Sequence, residues 1–115
     1  MEEELNKKLE EFEALRQTYL SLLYQKEKLQ DESIEIENAI KELKNLGENK
    51  KVYKLVGNVL IEKNKDELLK ELEEKKEIIS IRLQSISKQE SILRERLSKM
   101  QIEIENLLKQ YKSIK

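Results

Sequence analysis

Cysteine, histidine, proline and tryptophan are all missing from this 115-residue chain, glycine occurs twice, and aromatic residues make up 4%. Without cysteine there is neither a disulfide scaffold nor thiol chemistry, which fits a reducing interior. Without histidine or cysteine the commonest zinc ligands and the usual general base are gone, so no metal site, cofactor or catalytic residue is expected. Without proline, and with no glycine before Gly47, nothing interrupts a helix over the first part of the chain. No apolar run reaches 18 residues, and Met1-Glu2-Glu3-Glu4 opens the chain without a cationic patch or apolar stretch. Neither a membrane span nor a secretory signal is read, and a cytoplasmic location is expected.

Charge is plentiful but balanced. Lys and Arg total 23 against 24 Asp and Glu, a formal net charge of -1, and charged residues make up 41% of the chain. The signs are interspersed, so no broad cationic face is available to nucleic-acid phosphates or an acidic membrane. Arg82, Arg94 and Arg96 do not interleave with aromatics, and Gly57 has no phosphate-loop companions. Glu71, Glu73, Glu74 and Glu77 read as a solvated helix surface rather than an acid/base or metal cluster.

Hydrophobic periodicity dominates what remains. Between residues 5 and 46 a 3,4 spacing selects Leu5, Lys8, Phe12, Leu15, Tyr19, Leu22, Lys26, Leu29, Ser33, Ile36, Ile40 and Leu43, the a and d positions of a heptad stripe. A helix over 3–46 would be about 60 Å long at roughly 1.5 Å per residue. The second stripe is cleaner: Leu69, Leu72, Lys76, Ile79, Leu83, Ile86, Glu90, Leu93, Leu97, Met100, Ile104, Leu107, Tyr111 and Ile114, with only Lys76 and Glu90 charged. Its helix is expected over 65–114, opened by Asn64-Lys65-Asp66-Glu67, where the Asn64 side chain can accept from a first-turn N–H and Glu67 can bond back.

Between the stripes, Gly47 suits the left-handed position that stops a helix. Val52–Val56 and Val59–Lys63 read as two short strands, and Gly57-Asn58 as a type II′ loop that makes 52–63 a hairpin. With Val56 opposite Val59, one face carries Tyr53, Leu55 and Leu60, and the other Val56, Val59 and Ile61. A lone two-stranded ribbon with apolar residues on both faces and two bare edges is marginal in water. These residues, with Gly57 at the turn, are therefore expected to serve oligomerisation, or else to fold back on the chain's own helices.

The short connection favours antiparallel pairing of the two helices, a rod with both termini at its far end. Pairing Leu46 near Lys65 brings Lys26 within about a turn of Glu90, so that the two charges offset one another or each snorkels separately. At the free end, Leu5, Leu9 and Phe12 from the first helix would lie near Met100, Ile104, Leu107, Leu108, Tyr111 and Ile114 from the second. Leu9 and Leu108 stand outside the stripe. They widen the apolar surface for gripping another molecule, or they thicken the pair's own core.

The segment Val52-Tyr53-Lys54-Leu55-Val56-Gly57-Asn58-Val59-Leu60-Ile61, followed by Lys65-Asp66-Glu67-Leu68-Leu69-Lys70-Glu71-Leu72, resembles the hairpin and second-helix entry of prefoldin β-type subunits, in an archaeal-like version. The Tyr-Lys-x-Val-Gly-x-x-Leu-Ile pattern is distinctive of that family, whose architecture spans the chain as a single domain. The resemblance implies an α2β4 heterohexamer in which this chain joins an α-type partner and further copies of itself. Its hairpin would enter an intersubunit β-barrel, and its helices would capture unfolded client proteins without ATP and pass them to a group II chaperonin. The expected fold class is mainly α, an antiparallel two-helix coiled coil connected by a β-hairpin. The expected client-binding residues are Leu5, Leu9, Phe12, Met100, Ile104, Leu107, Leu108, Tyr111 and Ile114. The competing reading is a structural or adaptor coiled coil that binds one folded partner.

Overall fold

A computed structural model describes residues 2–114. Its elements are a helix α1 (Glu2–Asn45), strands β1 (Val52–Val56) and β2 (Val59–Lys63), and a helix α2 (Lys65–Ile114). The chain divides into a hairpin unit, Lys28–Gln84, and a terminal unit formed by Met1–Glu27 and Ser85–Lys115.

In the hairpin unit the heptad stripe supplies the core. Leu29, Ile36, Ile40 and Leu43 from α1 and Ile79 from α2 are buried stripe residues, joined by Leu68, one position before the stripe's half-buried Leu69, whereas the intervening positions are mostly charged and exposed. Ion pairs flank this seam, Glu32 with Lys75 at 3.2 Å, Glu37 with Lys76 at 3.3 Å and Lys44 with Glu73 at 3.7 Å. All of them are solvent-exposed and contribute little each, so burial of the stripe carries the stability. The helices run antiparallel here: the end of α1 meets the start of α2 through Lys65 Nζ, which donates to the Leu46 carbonyl at 2.9 Å, while Glu32 reaches Lys75.

Gly47 does not take the left-handed position assigned to it from the sequence. The only positive φ among the described residues is that of Gly57, at 61°. Instead, α1 closes with a short bond from the Leu46 N–H to the Leu43 carbonyl at 3.2 Å, and the Lys65 ammonium donates to the Leu46 carbonyl just past the helix end. A cation beside the negative end of the helix is favourably placed against its dipole. The chain then turns through a Lys50 N–H to Gly47 carbonyl bond of 3.2 Å. At the start of α2, Asn64 Oδ1 accepts from the backbone N–H groups of Asp66 and Glu67 at 2.9 and 3.3 Å. The side chain thus caps two donors that have no partner within the helix.

Val52 anchors the hairpin to the helices. It is buried with Leu43 and Leu68, and Leu69 and Leu72 pack on this cluster. Leu68→Ala is expected to cost about 2–5 kcal/mol, because removing a buried leucine side chain leaves a cavity at the point where strand and both helices meet. Thermal melting followed by circular dichroism checks this.

In the terminal unit Leu5, Leu22, Ile86 and Ile104 are buried. Cross-helix pairs descend on α2 as they ascend on α1, Lys8 to Glu103, Tyr19 to Arg94 and Lys26 to Glu90, so the pairing is antiparallel here as well.

Candidate assembly and client-binding surfaces

The hairpin register is Val56 opposite Val59, Leu55 opposite Leu60, Lys54 opposite Ile61, Tyr53 opposite Glu62 and Val52 opposite Lys63. Because side chains alternate along a strand, this register places Tyr53, Leu55, Leu60 and Glu62 on one face. Val52, Lys54, Val56, Val59, Ile61 and Lys63 share the other. A positive φ at Gly57 with none at Asn58 is the backbone pattern of a type II′ turn, whose twist matches that of the strands it joins. A side chain at Gly57 would meet open space, yet it would be strained by that φ.

The second face is divided. At its base Val52 is buried and Lys54 pairs with Glu71 of α2, holding the ribbon to the helix. The hydrogen bond from Lys54 keeps the Glu71 carboxyl below its usual range. Toward the turn none of the described residues covers the ribbon: Val56, Val59 and Ile61 are exposed, and on the opposite face Leu55 is 66% and Leu60 65% exposed, with Tyr53 also open. The ribbon is not folded back onto its own helices at these residues. The sheet has two strands only, so each carries an outer edge without a neighbour. Large apolar side chains left in water on both sides of a bare-edged ribbon are the features of a surface that another chain completes.

In the terminal unit the structure sorts the candidate client residues into two groups. Leu5 and Ile104 are buried, and Phe12, Met100, Leu107 and Tyr111 are half-buried; these belong to the helix pair's own seam. Leu9, Leu108 and Ile114 are exposed, Ile114 to 71%. The sequence reading missed Ile102 and Leu20, which are exposed at heptad positions facing away from the seam. The signal that could have found them is an aliphatic residue off the a/d stripe, the same signal that marked Leu9 and Leu108.

Electrostatics in this unit centre on carboxylates. On the exposed side of α1, Arg16 and Gln17 donate to the Glu13 carboxylate at 2.9–3.0 Å, and these bonds lower its pKa from 4.5 to about 2. In the seam, Glu90 is 7% exposed and accepts from Lys26 at 2.7 Å and from Arg94 at 2.5 Å. The Lys26 bond foremost, then that of Arg94, hold its carboxyl below the usual range against the opposing effect of desolvation. Both carboxyls are depressed in the folded state, so their stabilisation is complete above the unfolded value and is lost as pH falls through the folded one. The thermal midpoint is therefore expected to decline on acidification below about pH 4.5, with the Glu13 contribution shrinking progressively until pH has fallen through about 2. In Arg16→Met the decline should be shallower, as read from melting curves across that pH window.

Among the described residues no group of His, Cys, Asp or Glu is placed to hold a metal ion, and no helix is long and apolar enough to cross a membrane.

Two long antiparallel helices joined by an uncovered apolar hairpin define an assembling coiled-coil protein. A family model described as prefoldin subunit matches residues 6–111. The prefoldin subunit beta of Pyrobaculum islandicum is 39% identical over 92 residues, covering 80% of this chain and 74% of that protein. That of Saccharolobus islandicus is 35% identical over 108 residues, covering 94% and 86%. Among solved structures, the prefoldin beta subunit from Thermococcus strain KS-1 superposes with a TM-score of 0.80 at 31% identity, over 91% of this chain and 92% of that one. The beta2 subunit of the same strain superposes at 0.70 with 21% identity, over 77% and 95%, a likeness of fold. The chain belongs to the prefoldin family, in its β type. Prefoldin-family proteins are non-catalytic chaperones that interact with client proteins and chaperonins.

Proposed function

We propose that this chain is a subunit of an α2β4 heterohexamer that holds unfolded proteins without ATP and transfers them to a group II chaperonin. In this reading the hairpin assembles and the helix ends hold clients. Tyr53, Leu55, Val56, Val59, Leu60 and Ile61 enter an intersubunit β-barrel built around the Gly57 turn. Leu9, Leu108 and Ile114 contact client segments directly. Leu5, Phe12, Met100, Ile104, Leu107 and Tyr111 contribute mainly by keeping the helix pair closed beneath them, and their partly exposed members add to the grip.

The observation that supports this division is where the uncovered apolar area lies. The hairpin residues toward the turn, the off-stripe Leu9 and Leu108 and the last stripe residue, Ile114, are open, while the apolar stripe before Ile114 is spent on intrachain pairing. An unfolded chain offers scattered apolar groups, and sheltering each leucine-sized one contributes about 1.5–3 kcal/mol before ordering costs. One helix pair holds weakly. Several subunits presenting such surfaces together raise the effective concentration, which gives retention that is still reversible. A reducing cytoplasm is the compartment consistent with a chain that has no cysteine.

Co-expression with an α-type subunit and measurement of mass in solution tests the assembly. The expected mass equals two partners plus four copies of this chain. The purified complex is then expected to suppress aggregation of several unrelated unfolded proteins without nucleotide. Suppression confined to a single partner would favour the adaptor reading instead.

A further inference from the structure

The charged cluster inside the seam of the terminal unit is not explained by assembly or by client capture. Glu90 occupies a heptad a position of α2 that an aliphatic residue normally fills. Both of its oxygens are used, Oε2 by Lys26 Nζ from α1 and Oε1 by Arg94 Nη2 one turn along α2, and the Arg94 Nε also donates to the Tyr19 hydroxyl of α1 at 3.4 Å. No side-chain polar atom among the described residues is left buried without a partner. An ion pair placed in a seam is a weak source of stability, since apolar residues of similar size generally do as well or better. What it does supply is discrimination, because a carboxylate in such a position tolerates only pairings that bring its partners with it.

We propose that Lys26 and Glu90 select the helix pairing of this chain: they favour α1 against α2 in the observed register over the like-helix and slipped pairings that its heptad stripes permit, while the hairpin connection keeps the two helices in one copy. Three competitors exist, and each is penalised. A slip of one heptad sets Glu90 against Tyr19 or Ser33, and Lys26 against Leu83 or Leu97, so the carboxylate loses its cation from α1 and the ammonium meets an aliphatic side chain. Pairing of α2 with α2 of a neighbouring copy buries Glu90 with no Lys26 nearby, and the one offset that sets it against Lys76 limits the overlap to residues 65–101 and leaves the rest of the stripe uncovered. Pairing of α1 with α1 buries Lys26 with no Glu90. Arg94 lies on the same helix as Glu90 and accompanies it into every arrangement, so it screens the charge without discriminating. Lys26 is the selecting residue, and Tyr19 positions Arg94.

Selection of this kind is needed where copies are held close together. The two stripes follow the same 3,4 spacing and are built largely from leucine and isoleucine, so shape alone separates correct from incorrect partners poorly. Tethering several copies side by side raises the effective concentration of wrong partners toward the millimolar range.

The absence of native cysteine allows a direct test in the full-length chain. Cysteines replacing Lys8 and Glu103, which meet across the seam at 2.9 Å, are joined by a short bis-maleimide, and intrachain and interchain products are separated by mass. With Lys26 and Glu90 intact, intrachain product should dominate. In Lys26→Leu/Glu90→Leu the interchain fraction is expected to rise at least about threefold while the thermal midpoint holds or increases. An unchanged product ratio, or a fall in midpoint with an unchanged ratio, overturns the proposal in favour of a purely structural ion pair.

A second arm does not depend on the leucine variant folding. Copies carrying Lys26→Glu are mixed with copies carrying Glu90→Lys after unfolding and joint refolding. Each copy alone holds like charges across its own seam, whereas exchange of helices between the two restores both opposite-charge pairs. Interchain product between the two copies in excess of that from either alone supports the proposal, and a mixture no different from its components overturns it.

Discussion

Replacing Leu55 and Leu60 together with glutamate is expected to leave this chain unable to enter a hexamer while its helices remain formed. The two residues face each other across the ribbon and are exposed in the isolated chain, so the substitution removes no contact on which the fold of a single copy depends. In the proposed assembly both become covered. Losing the burial of two leucines forgoes about 3–6 kcal/mol per subunit at the usual worth of a leucine side chain. The glutamates add a desolvation cost on top, because their charges would enter an apolar barrel without partners. With four such subunits the combined loss exceeds what a complex can sustain at micromolar concentration. Mass measurement after co-expression with an α-type subunit should show the hexamer replaced by small species. Circular dichroism of the variant should retain the helical signal. A full-mass hexamer built with the double variant would show that these residues lie outside the assembling surface.

The second large effect concerns holding of clients. Leu9→Ser, Leu108→Ser and Ile114→Ser combined should reduce suppression of client aggregation severalfold, with hexamer mass and thermal midpoint nearly unchanged. The physical ground is their exposure: polar replacement at open helix positions generally alters stability by no more than about 0.5 kcal/mol each. Leu5→Ser with Ile104→Ser is the contrasting pair. Both residues are buried in the seam, so their replacement should lower the thermal midpoint by several degrees or more, and any loss of holding would follow from that opening. If the exposed triple variant holds clients as well as the parent, the grip lies elsewhere, and the outward Ile102 and Leu20 are the next residues to change.

Most of the architecture could be read in the residues, for a simple reason. A heptad stripe repeats often enough that a few exceptions such as Lys8, Lys26, Ser33 and Glu90 cannot hide it, and burial along α1 and α2 follows the stripe. The strand pairing was equally accessible, because Gly57 is the residue that takes a positive φ at little cost, and a two-residue loop then sets Val56 opposite Val59. Gly47 misled for the complementary reason. A glycine after a helix permits the left-handed stop without requiring it, and α1 closes instead through the Leu46 N–H to Leu43 carbonyl bond.

The candidate client surface was less legible. Heptad arithmetic identifies which residues can face a partner, but not whether that partner is the other helix or another molecule. Leu5 and Ile114 both stand on the stripe, yet one is buried and the other open. The difference lies in how the two stripes meet across the seam, a property of the pair and not of either helix.

Local chemistry was thus enough to establish helix, turn and strand, since periodicity and glycine conformation act over a few neighbouring residues. Three-dimensional packing decided the rest: that the Glu90 carboxylate is held by Lys26 and Arg94 together, that Val52 anchors a ribbon whose other apolar residues stay open, and that Leu9, Leu108 and Ile114 are left over once the seam has closed. Burial and charge pairing depend on which distant side chains arrive at the same place, and a linear pattern carries that information only in part.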